Sequence, residues 1–421
     1  MKLKLHIWTV LLGFSLVVVS CVTVYDTISN RDFSSHYNPG QTQIHPEFSV
    51  FMPSSTELRL YFRFFPWELA YKPDPKDSIA KAHVQLFFRV TKTYNSIEII
   101  DSLTTMFHFK GKPRSQYVGF VPIRLLEKGK YVMEVFLTDI NSQVQISKVM
   151  ELDFQPDGNA NSYMMLSVHG NPLFQPHFSV NDSFRIRSGI LNPKGMKVEY
   201  YRPDTLLPEP PDQIGEEVLE GGQADSSWVL TNPDTVLFTF NQPGLYCFKA
   251  TESVIGKPYL GTGIHFPYIK TPEDMLRPLG YLCSSKEMEV YWNLNNPKQA
   301  VDSFWISTAG DLDKARELIR VYYNRVQLAN YFFTGTKEGW LTDKGMVYTI
   351  CGPPAKVQLT DQGEYWVYGK GKKEAIEFYF YYDYHPLFGK LSILERSDLY
   401  SRMWYNAIAT WREGRIFSLN P

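Results

Sequence analysis

Apolar and polar residues alternate along much of the first two thirds of the chain. Glu57-Leu58-Arg59-Leu60-Tyr61-Phe62-Arg63-Phe64 alternates, His83-Val84-Gln85-Leu86-Phe87-Phe88-Arg89-Val90 does so approximately, and Tyr131-Val132-Met133-Glu134-Val135-Phe136-Leu137 is a third such run. A period of two puts the apolar side chains on one face of a strand. Turn residues recur between the runs, so residues 46–156 read as an antiparallel β-sandwich of immunoglobulin-like kind. Pro156-Asp157-Gly158-Asn159-Ala160-Asn161 reads as a linker. Residues 160–270 then repeat the theme, with Lys197-Val198-Glu199-Tyr200, Thr235-Val236-Leu237-Phe238-Thr239-Phe240 and Leu245-Tyr246-Cys247-Phe248 as strands. Gly129-Lys130-Tyr131 and Gly244-Leu245-Tyr246 echo each other at the start of a late strand in each segment.

The period changes after Thr271. Asn296-Pro297 is a helix start, an N-cap followed by proline, and Val301, Phe304 and Trp305 give that helix an apolar side. From Asp313 to Phe333 the residues Ala315, Leu318, Ile319, Tyr322, Val326, Ala329 and Phe333 recur at three- and four-residue spacing, which predicts a long amphipathic helix. Strands are expected at 346–350, 364–368, 375–382 and 391–394. A closing helix is expected over 398–412, with Tyr400, Trp404, Ala407, Ile408 and Trp411 on one face. The fold class is therefore mainly β with a C-terminal α+β domain over residues 271–421.

Gly339-Trp340-Leu341-Thr342-Asp343-Lys344-Gly345 reads as a turn in which both glycines allow positive φ. Met346 to Ile350 reads as a short strand, and Gly352-Pro353-Pro354 as a second turn. Gly339-Trp340-x-Thr342-Asp343 followed by Gly345 and Gly352-Pro353-Pro354 resembles the GWxTD domain found in envelope proteins of the Bacteroidota. The resemblance extends to Phe304-Trp305, to Tyr323-x-Arg325-Val326-x-x-Ala329-Asn330-x-x-Phe333, to Trp366, and to Trp404-x(6)-Trp411-Arg412-x-Gly414. It implies an α+β domain and brings no catalytic residues with it.

The N-terminus alters the picture of where the protein works. Lys2 and Lys4 precede an apolar run from Trp8 to Val19 that is too short for a stable membrane span, so residues 1–20 read as a secretion signal. Val18-Val19-Ser20-Cys21 resembles a bacterial lipobox, with Cys21 the expected site of lipidation, acylated on sulfur and nitrogen. Residues 21–45 then read as a polar, lipid-anchored tether. Outer-membrane localisation follows as an expectation, on the periplasmic face rather than the cell surface.

At 421 residues, 44% hydrophobic and 21% charged, the chain can bury several cores. Aromatic residues make up 15%, which favours half-buried strand faces. A net charge of −1 gives no bulk attraction to nucleic acid.

Candidate chemistry is sparse. Six of the nine tryptophans lie beyond residue 271, where they read as core more readily than as exposed platforms, although Trp366 could grip a partner. Arg316, Arg320 and Arg325 lie on or beside the polar side of the long helix and could dock an acidic partner, or form a solvated face. Asp343 reads as a cap or turn residue. Glu377, Asp383 and His385 are a weak metal signal, so neither metal nor cofactor is expected. Beyond Cys21 there are three cysteines, Cys247, Cys283 and Cys351, of which a Cys283–Cys351 bridge is one option. Asp-Ser/Thr-aliphatic triplets place candidate O-glycosylation at Thr27, Ser78, Ser102, Thr205 and Thr235, where average composition would give roughly one such triplet. The expected function is a non-enzymatic binding or assembly component of an envelope protein complex, anchored to the membrane by lipid, with envelope proteins as partners and no nucleic acid. The alternatives are a glycan-binding accessory of outer-membrane uptake and, more remotely, a hydrolase.

Overall fold

The computed structural model describes residues 26–38, 40, 43–73, 79–125, 127–155, 159–189, 195–213, 223–369 and 375–419. The signal segment, Cys21 and Ser78 lie outside the described residues.

The first unit is a two-sheet sandwich. Its strands are β1 (Glu47–Ser54), β2 (Glu57–Phe64), β3 (Lys72–Pro73), β4 (Ala80–Thr91), β5 (Asp101–Lys110), β6 (Tyr117–Ile123), β7 (Gly129–Asp139) and β8 (Val144–Phe154). One sheet has the order β1-β2-β6, and the other β3-β4-β7-β8 with β5 also on β4. The alternation seen in sequence does the packing: Leu58, Leu60, Phe62 and Phe64 face Val84, Leu86, Phe88 and Val90 in one core.

The second unit has strands β9 (Tyr163–Ser167), β10 (His177–Ser179), β11 (Ser183–Ser188), β12 (Met196–Tyr201), β13 (Ser226–Leu230), β14 (Phe238–Thr239), β15 (Gly244–Ala250) and β16 (Gly256–Thr262). Its sheets run β10-β16-β15-β12-β13 and β14-β11-β9. The echo between the two segments is structural. Gly129 and Gly244 have φ of 154° and 149°. Tyr131 donates its hydroxyl to the Glu127 carbonyl, and Tyr246 donates to Gln242, each at 2.7 Å. Each tyrosine ties the start of its strand back to the preceding turn, as the tyrosine corner of immunoglobulin-like sandwiches does.

The third unit holds helices α1 (Pro272–Leu276), α2 (Ser285–Trp292), α3 (Pro297–Ala309), α4 (Leu312–Phe333), α5 (Asp343–Cys351) and α6 (Ser401–Arg412), with strands β17 (Lys356–Leu359), β18 (Gly363–Tyr368), β19 (Ile376–His385) and β20 (Gly389–Leu394). The strands form an antiparallel sheet in sequence order. Asn296 caps α3 by accepting from Gln299 N, and Asp311 caps α4 by accepting from Asp313 N and Lys314 N.

Three sequence expectations are corrected here. Residues 346–350 are helix, not strand: Thr342 accepts from Gly345 N at 3.0 Å and starts α5. All of Met346, Val347, Tyr348, Thr349 and Ile350 are buried, so their short apolar run carries no helical period to read. The first sheet strand is β17 instead. Residues 26–38 do not form a free tether. Ile28 and Phe33 are buried in the core shared with the third unit, Ser29 N bonds Tyr94 O, and Phe33 N bonds Val357 O at 2.9 Å. The described end of the expected linker, from Asn159, is a packed corner. Asn159 is buried and its amide donates to the carbonyls of Asp153 and Gln155.

The units are not strung out in a line. Phe51 and Tyr61 of the first pack on Met164 and Leu166 of the second. Leu245, Cys247 and Leu260 of the second pack on Leu387 and Phe388 of the third. Ile28, Phe33, Tyr94 and Val132 close the circuit between the first and third.

Candidate functional site

The Gly-Trp stretch is a joint. Gly339 and Gly345 do not have positive φ; they are small because backbone passes against them. A Cβ on Gly339 would lie 2.0 Å from the Ala329 carbonyl oxygen, and one on Gly345 would lie 1.9 Å from that of Gly339. This close approach lets α4, the turn and α5 touch by their backbones. Asn330 accepts from Trp340 N, and Thr334 accepts from Gly339 N. Thr342 donates to Gly339 O at 2.7 Å while capping α5. Asp343 is buried and holds the sheet: its carboxylate accepts from Leu394 N at 2.8 Å and from Arg396 Nη2 at 2.8 Å. Trp340 is buried beneath the Arg277 guanidinium and donates to Glu338 Oε2.

The flanking signature residues work in the same way. Arg325 is buried, not a docking residue. It donates to Ile350 O and Phe417 O, each at 2.9 Å, and its guanidinium lies over Trp411. It thus stops the C-terminal end of α5, where Gly352 at φ 82° and Pro353-Pro354 end the helix. Trp366 is fully buried and donates to Glu364, so it offers no surface to a partner. Arg316 is exposed and pairs with Asp313, and Arg320 is exposed. Cys283 and Cys351 are free thiols, as is Cys247, and burial pushes all three thiols up to about 12. His385 accepts from Leu387 N and Phe388 N, and no metal-ligating group of three is found among the described residues. Of the glycosylation candidates, Ser102, Thr205 and Thr235 are exposed, whereas Thr27 is half-buried in the N-terminal segment.

What the structure adds is a cleft of about 480 Å³ where the three units and the N-terminal segment meet. Phe33, His36 and Tyr37 come from the N-terminal segment, the 144–149 stretch from β8, Phe174 and Gln175 from the second unit, and Tyr331, Phe332, Glu364, Tyr382 and Lys390 from the third. The floor is a carboxylate network. Glu364 accepts from Lys344 Nζ at 2.5 Å, Trp366 Nε1 at 3.1 Å, and the hydroxyls of Tyr37 and Tyr382 at 3.2 Å each. Burial alone would raise its pKa, but Lys344, the nearby Lys390 charge and the Trp366 N–H hold the carboxyl below the usual range. Glu151 of β8 accepts from Tyr94, Tyr384 and Lys390, which clamps the first unit to the third. On the opposite side Gln175 donates to Glu47, itself paired with Arg63. His36 bonds Ser147 Oγ at 3.2 Å, and burial, with Lys148 and Arg31 nearby, lowers its pKa to about 4.

Sequence reasoning missed this site because its walls come from four separate segments. One local signal existed: in β8 the inward row Val144, Ile146, Met150, Leu152 and Phe154 is interrupted by Lys148.

Residues 244–413 match the family model of the GWxTD domain. The chain carries a GWxTD domain. The match begins at Gly244, inside the second sandwich, and so takes in β15 and β16 with the α+β unit. Both strands supply the contact to Leu387 and Phe388, which ties them to the third unit. No curated protein matches the chain. Among solved structures, a β-glucuronidase from Bacteroides uniformis is 12% identical, with a TM-score of 0.17. That likeness covers 32% of this chain and 16% of the enzyme, and it carries no argument about fold or activity.

Proposed function

We propose that this protein is an outer-membrane lipoprotein of the Bacteroidota, anchored through Cys21 on the periplasmic side, that serves as a non-enzymatic binding and assembly component of an envelope protein complex. The observation that carries the reading is the closure of three units around one cleft. The GWxTD signature residues build the joint of the third unit and so leave binding to the shared surfaces. Glu151, Glu364 and Glu47 each engage donors from another segment, so the cleft is held open by fixed contacts between units.

The test is affinity purification of the lipidated protein from solubilised outer membrane, with mass spectrometry of its companions. A stoichiometric envelope protein supports the reading, and recovery of the protein alone overturns the assembly role. Metabolic palmitate labelling that is present in the native chain and lost in Cys21→Ala supports the anchor; an unlabelled native chain removes it.

A glycan-binding accessory is the second reading, favoured by the tyrosine and phenylalanine rings of the cleft. Trp340 and Trp366 are buried and take no part in it. Retention on glycan columns, lost on Tyr331→Ala, would move the reading there, because Tyr331 is 46% exposed and lines the cleft.

A further inference from the structure

We propose that the cleft holds a small amphipathic anion, an apolar or aromatic body ending in one carboxylate- or sulfonate-like group, and that Lys148 receives its charge. The proposal rests on reading the cleft as a binding site, and names the ligand class.

The inward row of β8 is apolar at Val144, Ile146, Met150, Leu152 and Phe154. Lys148 has the same parity and places an amine where a core residue is expected. β8 is the last strand of its sheet, and its residues 144–149 line the cleft. Lys148 is exposed and lines the cleft, so its amine is open to a ligand there.

The charge balance gives the ligand its sign. Glu47 pairs with Arg63, Lys390 with Glu151, and Glu364 with Lys344. Lys148 has no ion pair or hydrogen bond among the described residues. Glu47 faces it electrostatically but is already engaged by Arg63 and Gln175. His36 stays neutral near pH 7 and so adds no second charge, while Ser147 Oγ and the His36 ring supply hydrogen-bonding groups beside the amine. One unpaired cation in a cleft calls for one anionic group. Phe48, Phe174, Tyr331 and Phe332 line the same space and match an apolar body. The volume of about 480 Å³ falls in the range of small-molecule sites.

A competing role for Lys148 is defensive. A lysine on an edge strand blocks edge-to-edge pairing between molecules. The experiment separates the two. The mature full-length protein and its Lys148→Met and Lys148→Arg variants are titrated with 8-anilinonaphthalene-1-sulfonate and with its uncharged relative N-phenyl-1-naphthylamine. The expected result is saturable binding of one sulfonate dye per chain, weakened about 10- to 100-fold in Lys148→Met and largely kept in Lys148→Arg. The uncharged dye should stay within about twofold in both variants, and Tyr331→Ala should weaken both dyes. Equal sulfonate affinity in Lys148→Met, with concentration-dependent self-association, would overturn the proposal and make Lys148 an edge guard. Parallel loss of both dyes in Lys148→Met would overturn the assignment of the charge. If neither dye saturates at one site in the native chain, the cleft itself is not a small-molecule site and the proposal falls with it.

Discussion

The buried pair between Asp343 and Arg396 should be the most sensitive point of the third unit. The carboxylate accepts from Arg396 Nη2 at 2.8 Å and from Leu394 N at 2.8 Å, and the two side chains are 4% and 8% exposed. Asp343→Ala therefore leaves a largely buried guanidinium with carbonyl partners but no countercharge from Asp343, and removes the acceptor of a buried backbone amide. Removing one partner of a buried pair costs about 3–5 kcal/mol, and an orphaned amide about 1–3 kcal/mol, with overlap between them. A loss of about 4 kcal/mol is expected. Asp343→Asn, which keeps an oxygen for Leu394 N, should lose about half of that. The assay is urea denaturation followed by tryptophan fluorescence. Six of the nine tryptophans lie beyond residue 271, so the signal reports this unit even if the chain unfolds in steps. The double variant Asp343→Ala/Arg396→Ala completes a cycle, and a coupling of about 2–4 kcal/mol is expected. A loss below about 1 kcal/mol for Asp343→Ala, or a coupling near zero, would refute the structural account of this signature residue.

Gly345→Ala should cost more than about 3 kcal/mol by the same assay, because its Cβ would meet the Gly339 carbonyl at 1.9 Å; Gly389→Ala, at φ 76° with open space around it, should cost only about 1 kcal/mol. Equal costs would refute the close-approach account. Arg325→Lys should lose about 2 kcal/mol, since one amine cannot reach both Ile350 O and Phe417 O; an unchanged urea midpoint would count against it. Burial lowers His36 and His177 to about 4, below the ordinary 6.5. The unfolded chain then binds more protons between those values, so stability present above pH 6.5 is lost as pH falls toward 4, by about 1–3 kcal/mol per histidine. Thermal unfolding across that window should show a falling midpoint, with a shallower slope in His36→Gln; a flat profile would refute it. Tyr131→Phe and Tyr246→Phe should each cost about 1 kcal/mol, since each hydroxyl makes a single bond to a turn carbonyl.

The architecture was legible where one physical signal dominates. Two-residue alternation marked Leu58, Leu60, Phe62 and Phe64, and three- and four-residue spacing marked Ala315, Leu318, Tyr322 and Val326, because in each case one face is buried and the other is not. Legibility failed where both faces are buried. The stretch from Met346 to Ile350 has no polar face, so nothing in its pattern separates helix from strand. Arg325 was misplaced for a related reason. A charged residue on a helix reads as solvated, and only the meeting of the α5 C-terminus with Phe417 makes a buried place for it. A glycine in sequence suggests positive φ, whereas the role of Gly339 and Gly345 depends on which backbone lies opposite them, and that is a tertiary fact.

The N-terminal segment shows why the cleft was hidden. Its polar composition reads as tether, yet Ile28 and Phe33 anchor it in the core of the third unit and Arg31 pairs with Glu134 of the first. Two buried apolar side chains contribute about 3–6 kcal/mol, enough to order a short strap whose other residues are polar. That strap delivers His36 and Tyr37 to the cleft, where they meet Ser147 and Glu364. The cleft therefore depends on the chain folding back on itself at its start. A displacement of this strap would therefore move Phe33, His36 and Tyr37 out of the cleft wall together.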